Sequence, residues 1–253
     1  MIKFNRRGQM MLWVIIAVVL VAAIILFFLV DLDPTIVRGA DVNPSGFVEK
    51  CARESTLEGV DILLPRGGFI SEQFGKMHNN VNVSYLCYNR GNYEPCISQH
   101  PAYLSEIEEE IEEYVFPRVE LCFNDLRAEI ERQRGDVQMG PLSLNVDLGP
   151  DRIYLEVNRD LRIEKNGAVQ SFDGFDFEVI SPLYNLANVA MEIASNEAKY
   201  CYFEYVGYMV LYPRFGIERF VADDSSEIYS IEDKKTGKVL DVAIRGCAIP
   251  AGI

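Results

Sequence analysis

The apolar positions of the chain follow two regimes, an unbroken run near the N-terminus and periodic patterns after it. The run is Met10–Val30, 21 apolar residues without a charge, a glycine or a proline. At about 1.5 Å per residue, a helix of this length covers roughly 32 Å, close to the ~30 Å hydrocarbon core of a bilayer. The pattern therefore predicts one transmembrane helix over residues 10–30, with the lipid bilayer as its partner, after a stub of residues 1–9.

The charges on either side of the run set its expected orientation. Lys3, Arg6 and Arg7 precede it, whereas Asp31 and Asp33 follow it. Basic residues are retained on the cytoplasmic side of a membrane, so we expect a cytoplasmic N-terminus and an extracellular C-terminal domain. No small-residue cleavage site follows the run, which favours a retained signal anchor in the cell membrane over a secretory signal that is removed.

Helical periodicity begins after a short linker. Residues 31–43 carry proline breaks and no periodicity, and Asn43–Pro44 is a typical helix start, so we expect a domain of residues 44–253 to begin there. A second helix is predicted from apolar positions at helical spacing, with a kink or a restart at Pro117. Those positions are Ile107, Ile111, Val115, Val119, Cys122, Leu126 and Ile130.

Elsewhere the apolar positions alternate with period two, which indicates strands. The segments are Val81–Tyr88, Leu142–Leu148, Ile153–Val157, Leu161–Ile163, Val169–Ile180, Tyr208–Tyr212, Glu227–Ile231 and Val239–Ile244. A third helix is predicted from Ser181 to near Glu204, starting at a Ser-Pro pair. Helices and hairpins in separate blocks predict an α+β domain of antiparallel strands and amphipathic helices.

The charge balance excludes one class of function. Residues 31–253 hold all 38 acidic residues but only 21 of the 24 basic ones, and the whole chain of 253 residues has a formal net charge of −14. Nucleic-acid phosphates repel such a surface, so nucleic acid is not an expected partner. An apolar content of 49% also separates the chain from disordered proteins.

Six cysteines on the outer side of a membrane predict disulfides. Cys87 and Cys96 flank a hairpin turn and are the pair that closes most easily. The other four allow three pairings and are Cys51, Cys122, Cys201 and Cys247. Buried free thiols, which pack as small apolar side chains, are the alternative for some of them.

The sequence predicts no catalytic residue, no metal site and no cofactor. No Cys-x-x-Cys, Gly-x-Ser-x-Gly or His-Glu-x-x-His motif occurs, and the histidines number only two, His78 and His100. Nothing in the spacing supports a Ser–His or Cys–His pair. Six glutamates between Glu106 and Glu113 are interpreted as a solvated helix face, because calcium loops are rich in turns.

Two further features carry alternative interpretations. Several tyrosines lie in the stretch Tyr200–Tyr212, where they indicate either a half-buried core or a carbohydrate-binding surface. Asn82 begins the chain's glycosylation sequon, Asn-Val-Ser, and is a candidate for modification if the domain is outside the cell.

The N-terminal pattern Arg6-Arg7-Gly8-Gln9 before an apolar run resembles the archaeal class III signal peptide of type IV pilin-like proteins. In that family a membrane peptidase cuts after the glycine, so the resemblance implies processing between Gly8 and Gln9. An uncleaved signal anchor is the alternative. Two departures from pilins favour that alternative, namely Trp13 in place of a glutamate and the early helix break at Asp33-Pro34.

The rest of the chain resembles a group of archaeal single-pass surface proteins of uncharacterised activity. The shared elements are the Arg-Gly-Gln start with its apolar anchor, a stretch like Phe47-Val48-Glu49-Lys50-Cys51, a turn like Gly67-Gly68-Phe69-Ile70 and an acidic helix. This resemblance implies a cell-surface location and carries no activity with it.

Two function classes follow from these patterns. The first is a membrane-anchored cell-surface protein with a non-catalytic structural, assembly or adhesion role, through self-assembly or envelope proteins. The second is an anchored extracytoplasmic enzyme, a hydrolase, whose site the sequence does not reveal. An exposed apolar patch favours the first class, and a pocket with converging polar groups favours the second.

Overall fold

A computed structural model of the chain describes residues 19–21 and 42–249. Val19–Val21 are helical, whereas the rest of the apolar run, the processing candidates Gly8 and Gln9, and residues 31–41 lie outside the described residues. No helix within the described ranges combines the length and apolarity that spanning a bilayer requires. The chain divides into two units, residues 1–41 and residues 42–253.

The described part of the second unit contains four α-helices and ten strands. The helices are α1 (Pro44–Leu63), α2 (Tyr103–Arg132), α3 (Leu183–Tyr200) and α4 (Tyr205–Leu211), with a 3-10 turn at Leu64–Arg66. The strands are β1 (Gly75–His78), β2 (Val81–Tyr88), β3 (Ile97–Ser98), β4 (Asp136–Met139), β5 (Ser143–Gly149), β6 (Arg152–Lys165), β7 (Ala168–Ile180), β8 (Phe215–Val221), β9 (Glu227–Asp233) and β10 (Lys238–Arg245). The predicted α+β class is confirmed.

The strands form two sheets. The first has the order β1-β2-β10-β9-β8, with the two-residue strand β3 also paired to β2. Its neighbours are antiparallel except β2 and β10, which run parallel. In the second sheet the long strand β6 pairs with β7 on one side and with β4 and β5 on the other, all antiparallel. Buried and exposed residues alternate along β6, as a strand with one covered face requires.

The helices fill the space beside the sheets and join them in one core. The predicted apolar stripe of α2 is buried along its whole length, from Ile107 to Ile130. Helix α2 contacts α1, α3 and the second sheet, while α3 packs on the central strands of the first sheet. One continuous cluster of buried apolar residues therefore holds both sheets and all three long helices.

The first sheet is strongly curled, so that its edges approach each other. The rings of His78 on β1 and Phe220 on β8 lie 5.0 Å apart, although three strands separate β1 from β8. Lys76 Nζ also reaches Asp224 Oδ2 across the gap, at 2.8 Å. The curl encloses a second, small apolar cluster around Tyr85.

Three disulfides close the unit and confirm the expectation of disulfides. They join Cys51 to Cys122, Cys87 to Cys96 and Cys201 to Cys247. The first ties α1 to α2, the second ties β2 to the segment before β3, and the third ties the end of α3 to the segment after β10. All six cysteines of the chain are thereby paired.

Helix α2 runs through Pro117 without a break, so the restart that was one alternative at this position is wrong. Proline removes the amide that would bond the carbonyl of Glu113 one turn earlier. Both residues are exposed, so the freed carbonyl lies where water can reach it, while Val115 and Val119 on the opposite face are buried.

The strand expected over Tyr208–Tyr212 is also wrong. Helix α3 ends at Tyr200, before the expected boundary near Glu204, and Tyr205–Leu211 form the separate helix α4. A short apolar stretch fits either period, so periodicity alone does not separate a strand from a helix here. The next strand, β8, begins at Phe215, three residues after Tyr212.

Candidate functional site

Helix α4 begins at a position that two local features fix. Cys201 adopts a left-handed backbone conformation, with φ of 57°, and ends α3. Glu204 then caps α4, since its Oε1 accepts the amide of Gly207 at 3.2 Å and its Oε2 accepts the hydroxyl of Tyr202 at 2.5 Å. The Tyr202 hydrogen bond and the Gly207 amide both lower the pKa of Glu204. The helix is therefore held in a defined orientation.

The inner side of α4 packs on the core. Tyr205, Tyr208 and Met209 are half-buried against it, and the ring of Tyr208 lies 5.3 Å from that of Phe203. Met209 Sδ accepts the amide of Ile217 on β8 at 3.1 Å. The helix is thus seated on the domain by three of its seven residues.

The outer side of α4 is apolar and faces solvent. Val210 and Leu211 are 78% and 76% exposed, and Val206, one turn before Val210, is also exposed. Exposed tyrosines precede and follow the helix, at Tyr200, Tyr202 and Tyr212. We call these six residues the apolar surface. Single exposed apolar residues are common on soluble proteins, whereas larger contiguous apolar patches mark contact sites.

Arg214 fixes the end of the apolar surface to both sheets. Its Nη1 bonds Asp151 Oδ2 in the β5–β6 turn at 3.2 Å, and its Nε bonds Asp233 Oδ2 at the end of β9 at 3.1 Å. The Asp233 side chain is 0% exposed. Hydrogen bonding to Asp151 and Asp233 raises the pKa of Arg214, and the same guanidinium lowers the pKa of Asp151. The Arg214 guanidinium is therefore charged throughout the physiological range.

A buried carboxylate lies at the end of α3 that leads to the apolar surface. Glu197 Oε1 accepts the hydroxyl of Tyr229 at 2.6 Å, and Tyr229 also lies 2.9 Å from Glu227 Oε2. Burial raises the pKa of Glu197, while the Tyr229 hydrogen bond opposes that shift. The pair joins α3 to β9 and supports the segment that carries the apolar surface.

A second candidate site contains His100. Its Nδ1 lies 2.5 Å from Glu106 Oε2, and its ring lies 4.4 Å from the ring of Phe69. The imidazole lines a cavity of about 290 Å³ between β3 and α3. The other lining residues are Leu86, Ser98, Pro101, Tyr103, Met191, Ala194, Ser195 and Ala198. The contact with Glu106 engages Nδ1, so Nε2 is the ring nitrogen that remains for other partners.

The acidic run of α2 is more than the solvated face that its sequence indicates. Glu110 Oε2 accepts the amides of Ile70 and Ser71, both at 2.9 Å, and Glu108 Oε1 accepts the amide of Leu148 at 2.8 Å. These carboxylates fix neighbouring loops to the helix. Across the part of the chain that the structure describes, no group of three or more His, Cys, Asp or Glu side chains is arranged to hold a metal ion.

The glycosylation candidate Asn82 lies on β2, where its Nδ2 donates to the carbonyl of Gln73 at 2.7 Å.

Sequence reasoning missed the apolar surface. The tyrosines of residues 200–212 were compatible with a half-buried core or with a surface. Tyr205 and Tyr208 are half-buried, whereas Tyr200, Tyr202 and Tyr212 are each half exposed or more. The available signal for this surface was the helical spacing of its residues. Val206 and Val210 are four positions apart and share one side of a helix, whereas Tyr205 and Tyr208 share the other side.

Comparison of the chain with protein families, with curated proteins and with solved structures finds no match.

Proposed function

We propose that the chain is a membrane-anchored cell-surface protein, single-pass with its N-terminus in the cytoplasm. Its extracellular domain has a non-catalytic structural, assembly or adhesion role and docks on an envelope component through the apolar surface. The observation that carries the proposal is the exposure of Val210 and Leu211 on a helix whose opposite side is seated on the core. An exposed apolar cluster on a rigid support is typical of contact sites.

Two properties of the chain support an extracellular location. The apolar run of residues 10–30 and the basic residues before it predict a membrane anchor with the domain outside. All six cysteines are oxidised in pairs, as is usual for proteins that fold in an oxidising compartment. Processing after Gly8 would convert the same chain into a pilin-like subunit, whereas an uncleaved N-terminus leaves it a simple anchor.

The test cuts the chain between its anchor and its domain. A protease site is introduced within residues 35–40, and intact cells are treated with the matching protease. Cleavage in intact cells is expected, because the domain is outside. The domain should then remain with the envelope, whereas the Val210→Ser/Leu211→Ser variant should be released.

Val169→Ser is the matched control, since Val169 is an exposed apolar residue near the start of β7 and does not belong to the apolar surface. That variant should behave like the parent chain. Release of the parent domain on cleavage would contradict docking, and resistance to cleavage in intact cells would contradict the orientation.

A second candidate function, an extracytoplasmic hydrolase, is favoured by the contact between His100 and Glu106 beside a cavity. The Glu106 carboxylate contacts the imidazole, and Ser98 and Ser195 line the same cavity, which are the residue types that a carboxylate–histidine–serine nucleophile uses. A fluorophosphonate probe tests it. Labelling that is abolished by His100→Gln and unchanged by His78→Gln supports hydrolysis, and an unlabelled protein argues against it.

A further inference from the structure

The hydroxyl of Tyr229 lies between two carboxyl groups. Its oxygen is 2.6 Å from Glu197 Oε1 and 2.9 Å from Glu227 Oε2, and both distances are those of hydrogen bonds. A hydroxyl has one hydrogen and donates it to one acceptor here, whereas an ionised carboxylate has no hydrogen to donate. If both carboxyls were ionised, one of the two contacts would place lone pairs against each other. The arrangement is therefore complete only when one of the two carboxyls carries a proton.

Burial and charge place that proton on Glu197. Both oxygens of Glu227 lie 3.4 Å from Arg219 Nη1, so an ionised Glu227 has a cation beside it. Glu197 is 4% exposed, and among the ion pairs of the described residues Arg219 pairs with Glu227 and not with Glu197. A buried carboxylate without a paired cation is costly, and the neutral acid avoids that cost.

The groups that act on the Glu197 carboxyl come from three elements. Burial is the largest cause that raises its pKa, and the charge of Glu227 on β9 adds to that shift. The Tyr229 hydroxyl on β9, Arg219 on β8 and the Phe203 amide before α4 oppose it, and the pKa of Glu197 remains above its ordinary value of 4.5. The protonated form is thus favoured by the fold as well as by the hydrogen-bond geometry.

From this arrangement we propose that Glu197, Tyr229 and Glu227 form a proton-binding site, in which Glu197 is a neutral carboxylic acid at pH 7. Glu197 donates its hydrogen to the Tyr229 oxygen instead of accepting from it, and the Tyr229 hydroxyl donates to Glu227. Arg219 balances the one remaining negative charge. When Glu197 ionises, its proton passes to water, and one hydroxyl hydrogen is left for two carboxylates.

The proton-binding site adjoins the segment that carries the apolar surface. Glu197 lies in the last turn of α3, and the ring of Phe203, in the turn that follows, is 6.4 Å from the ring of Tyr229. The guanidinium of Arg219 lies 5.9 Å from the ring of Tyr205, the first residue of α4. Loss of the proton should therefore loosen the start of α4, whatever the apolar surface contacts.

The sign of the pH dependence follows from the raised pKa. The stabilisation that the protonated acid provides is complete below the unfolded pKa and is lost as the pH rises through the folded pKa. The start of α4 should accordingly be better protected at pH 6 than at pH 8.5.

Infrared spectroscopy of the full chain in D₂O at pH 7 tests the site directly. A maltoside detergent is used, because it has no ester carbonyl. The parent chain should show the carbonyl stretch of a protonated carboxylic acid, and Glu197→Gln should lose it. Glu232→Gln is the matched control, an exposed glutamate on the same strand as Tyr229, and should retain the band. Asp241→Asn identifies any band of Asp241, whose pKa is also raised by burial.

Tyr229→Phe supplies a second variant, in which the acid stays protonated but loses its hydrogen-bond partner. Its carbonyl stretch should shift to higher frequency. A parent spectrum without the band, a band that survives Glu197→Gln, or one that Tyr229→Phe leaves in place would each overturn the proposal.

Hydrogen exchange tests the link to α4. The amides of Tyr208 and Tyr212 bond the carbonyls of Glu204 and Tyr208, so their protection factors report on the helix. In the parent chain these factors should fall several-fold between pH 6 and pH 8.5, and in Glu197→Gln they should stay constant. Protection in α2 serves as the internal reference. Equal changes in α4 and α2, or no change in α4, would contradict the release of this segment.

Discussion

Replacing Arg214 should destabilise the domain strongly, because this side chain joins the two sheets beside the apolar surface. Arg214→Met removes the bonds to Asp151 and Asp233 while keeping most of the aliphatic stem. The Asp233 carboxylate is 0% exposed and would keep only backbone partners, among them the amide of Lys235 at 2.8 Å. Leaving one member of a buried ion pair uncompensated costs about 3–5 kcal/mol.

The partial exposure of the other two side chains reduces that figure. Arg214 is 31% exposed and Asp151 is 40% exposed, so water compensates part of the loss. We expect Arg214→Met to lower the free energy of unfolding by about 3 kcal/mol at pH 7, the lower end of the range for a broken buried pair. Arg214→Lys keeps the charge but not the fork that reaches both carboxylates, so it should recover only part of the loss.

The pH dependence of this effect has a definite sign. Arg214 lowers the pKa of Asp151 in the folded state below its ordinary value of 3.8. The resulting stabilisation is present above that unfolded pKa and is lost as the pH falls through the folded pKa. The difference between the parent chain and Arg214→Met should therefore shrink between pH 5 and pH 2.

Urea unfolding with the disulfides intact measures these differences. A double-mutant cycle with Asp151→Asn isolates the coupling between the two side chains, which should be favourable by about 1 kcal/mol or more. A loss below about 1 kcal/mol for Arg214→Met, together with no change in that loss at low pH, would refute the role of Arg214 as a clamp.

Three further outcomes are expected from the sequence and the structure. N-terminal sequencing of protein recovered from cells should give a start at Met1 or Ile2 for an uncleaved anchor, whereas a start at Gln9 indicates processing. Glu197→Gln should stabilise the fold by about 1 kcal/mol at pH 8 and by less at pH 4.5. Burial raises the pKa of Glu197, so the parent chain loses stability as the pH rises through that folded pKa, whereas glutamine does not ionise. Thermal unfolding of both proteins at the two pH values checks this. Replacing Cys87 and Cys96 by alanine opens a loop of about ten residues and should cost roughly 2–3 kcal/mol, measured by urea unfolding.

Much of the fold was predictable, because burial on one face of an element leaves a periodic pattern. Ile107, Ile111 and Val115 recur at helical spacing, and the structure buries each of them on α2. The alternation in β6 likewise marks a strand with one covered face. Both patterns arise from packing against the rest of the domain, which imposes the period of the element on its apolar residues.

The candidate site was less predictable, because a sequence does not distinguish an apolar residue in the core from one on the surface. Val210 and Leu211 have the composition of a buried strand, and only the seating of Tyr208 and Met209 against the core turns them toward solvent. The contact of His100 with Glu106 was also hidden, because His100 lies in the loop before α2 and periodicity does not place a loop residue. The local path of the chain into α2 brings that pair together.

Docking through the apolar surface is tested most directly by the reactivity of a single thiol in intact cells. Val210→Cys and Val169→Cys are treated in parallel with a membrane-impermeant maleimide, and the labelling rates are compared. Since Val210 is 78% exposed on the isolated domain and Val169 is 48% exposed, free domains should label faster at 210. A docked apolar surface predicts the reverse, with labelling at 210 at least tenfold slower than at 169. Labelling at 210 as fast as at 169 or faster would contradict the account.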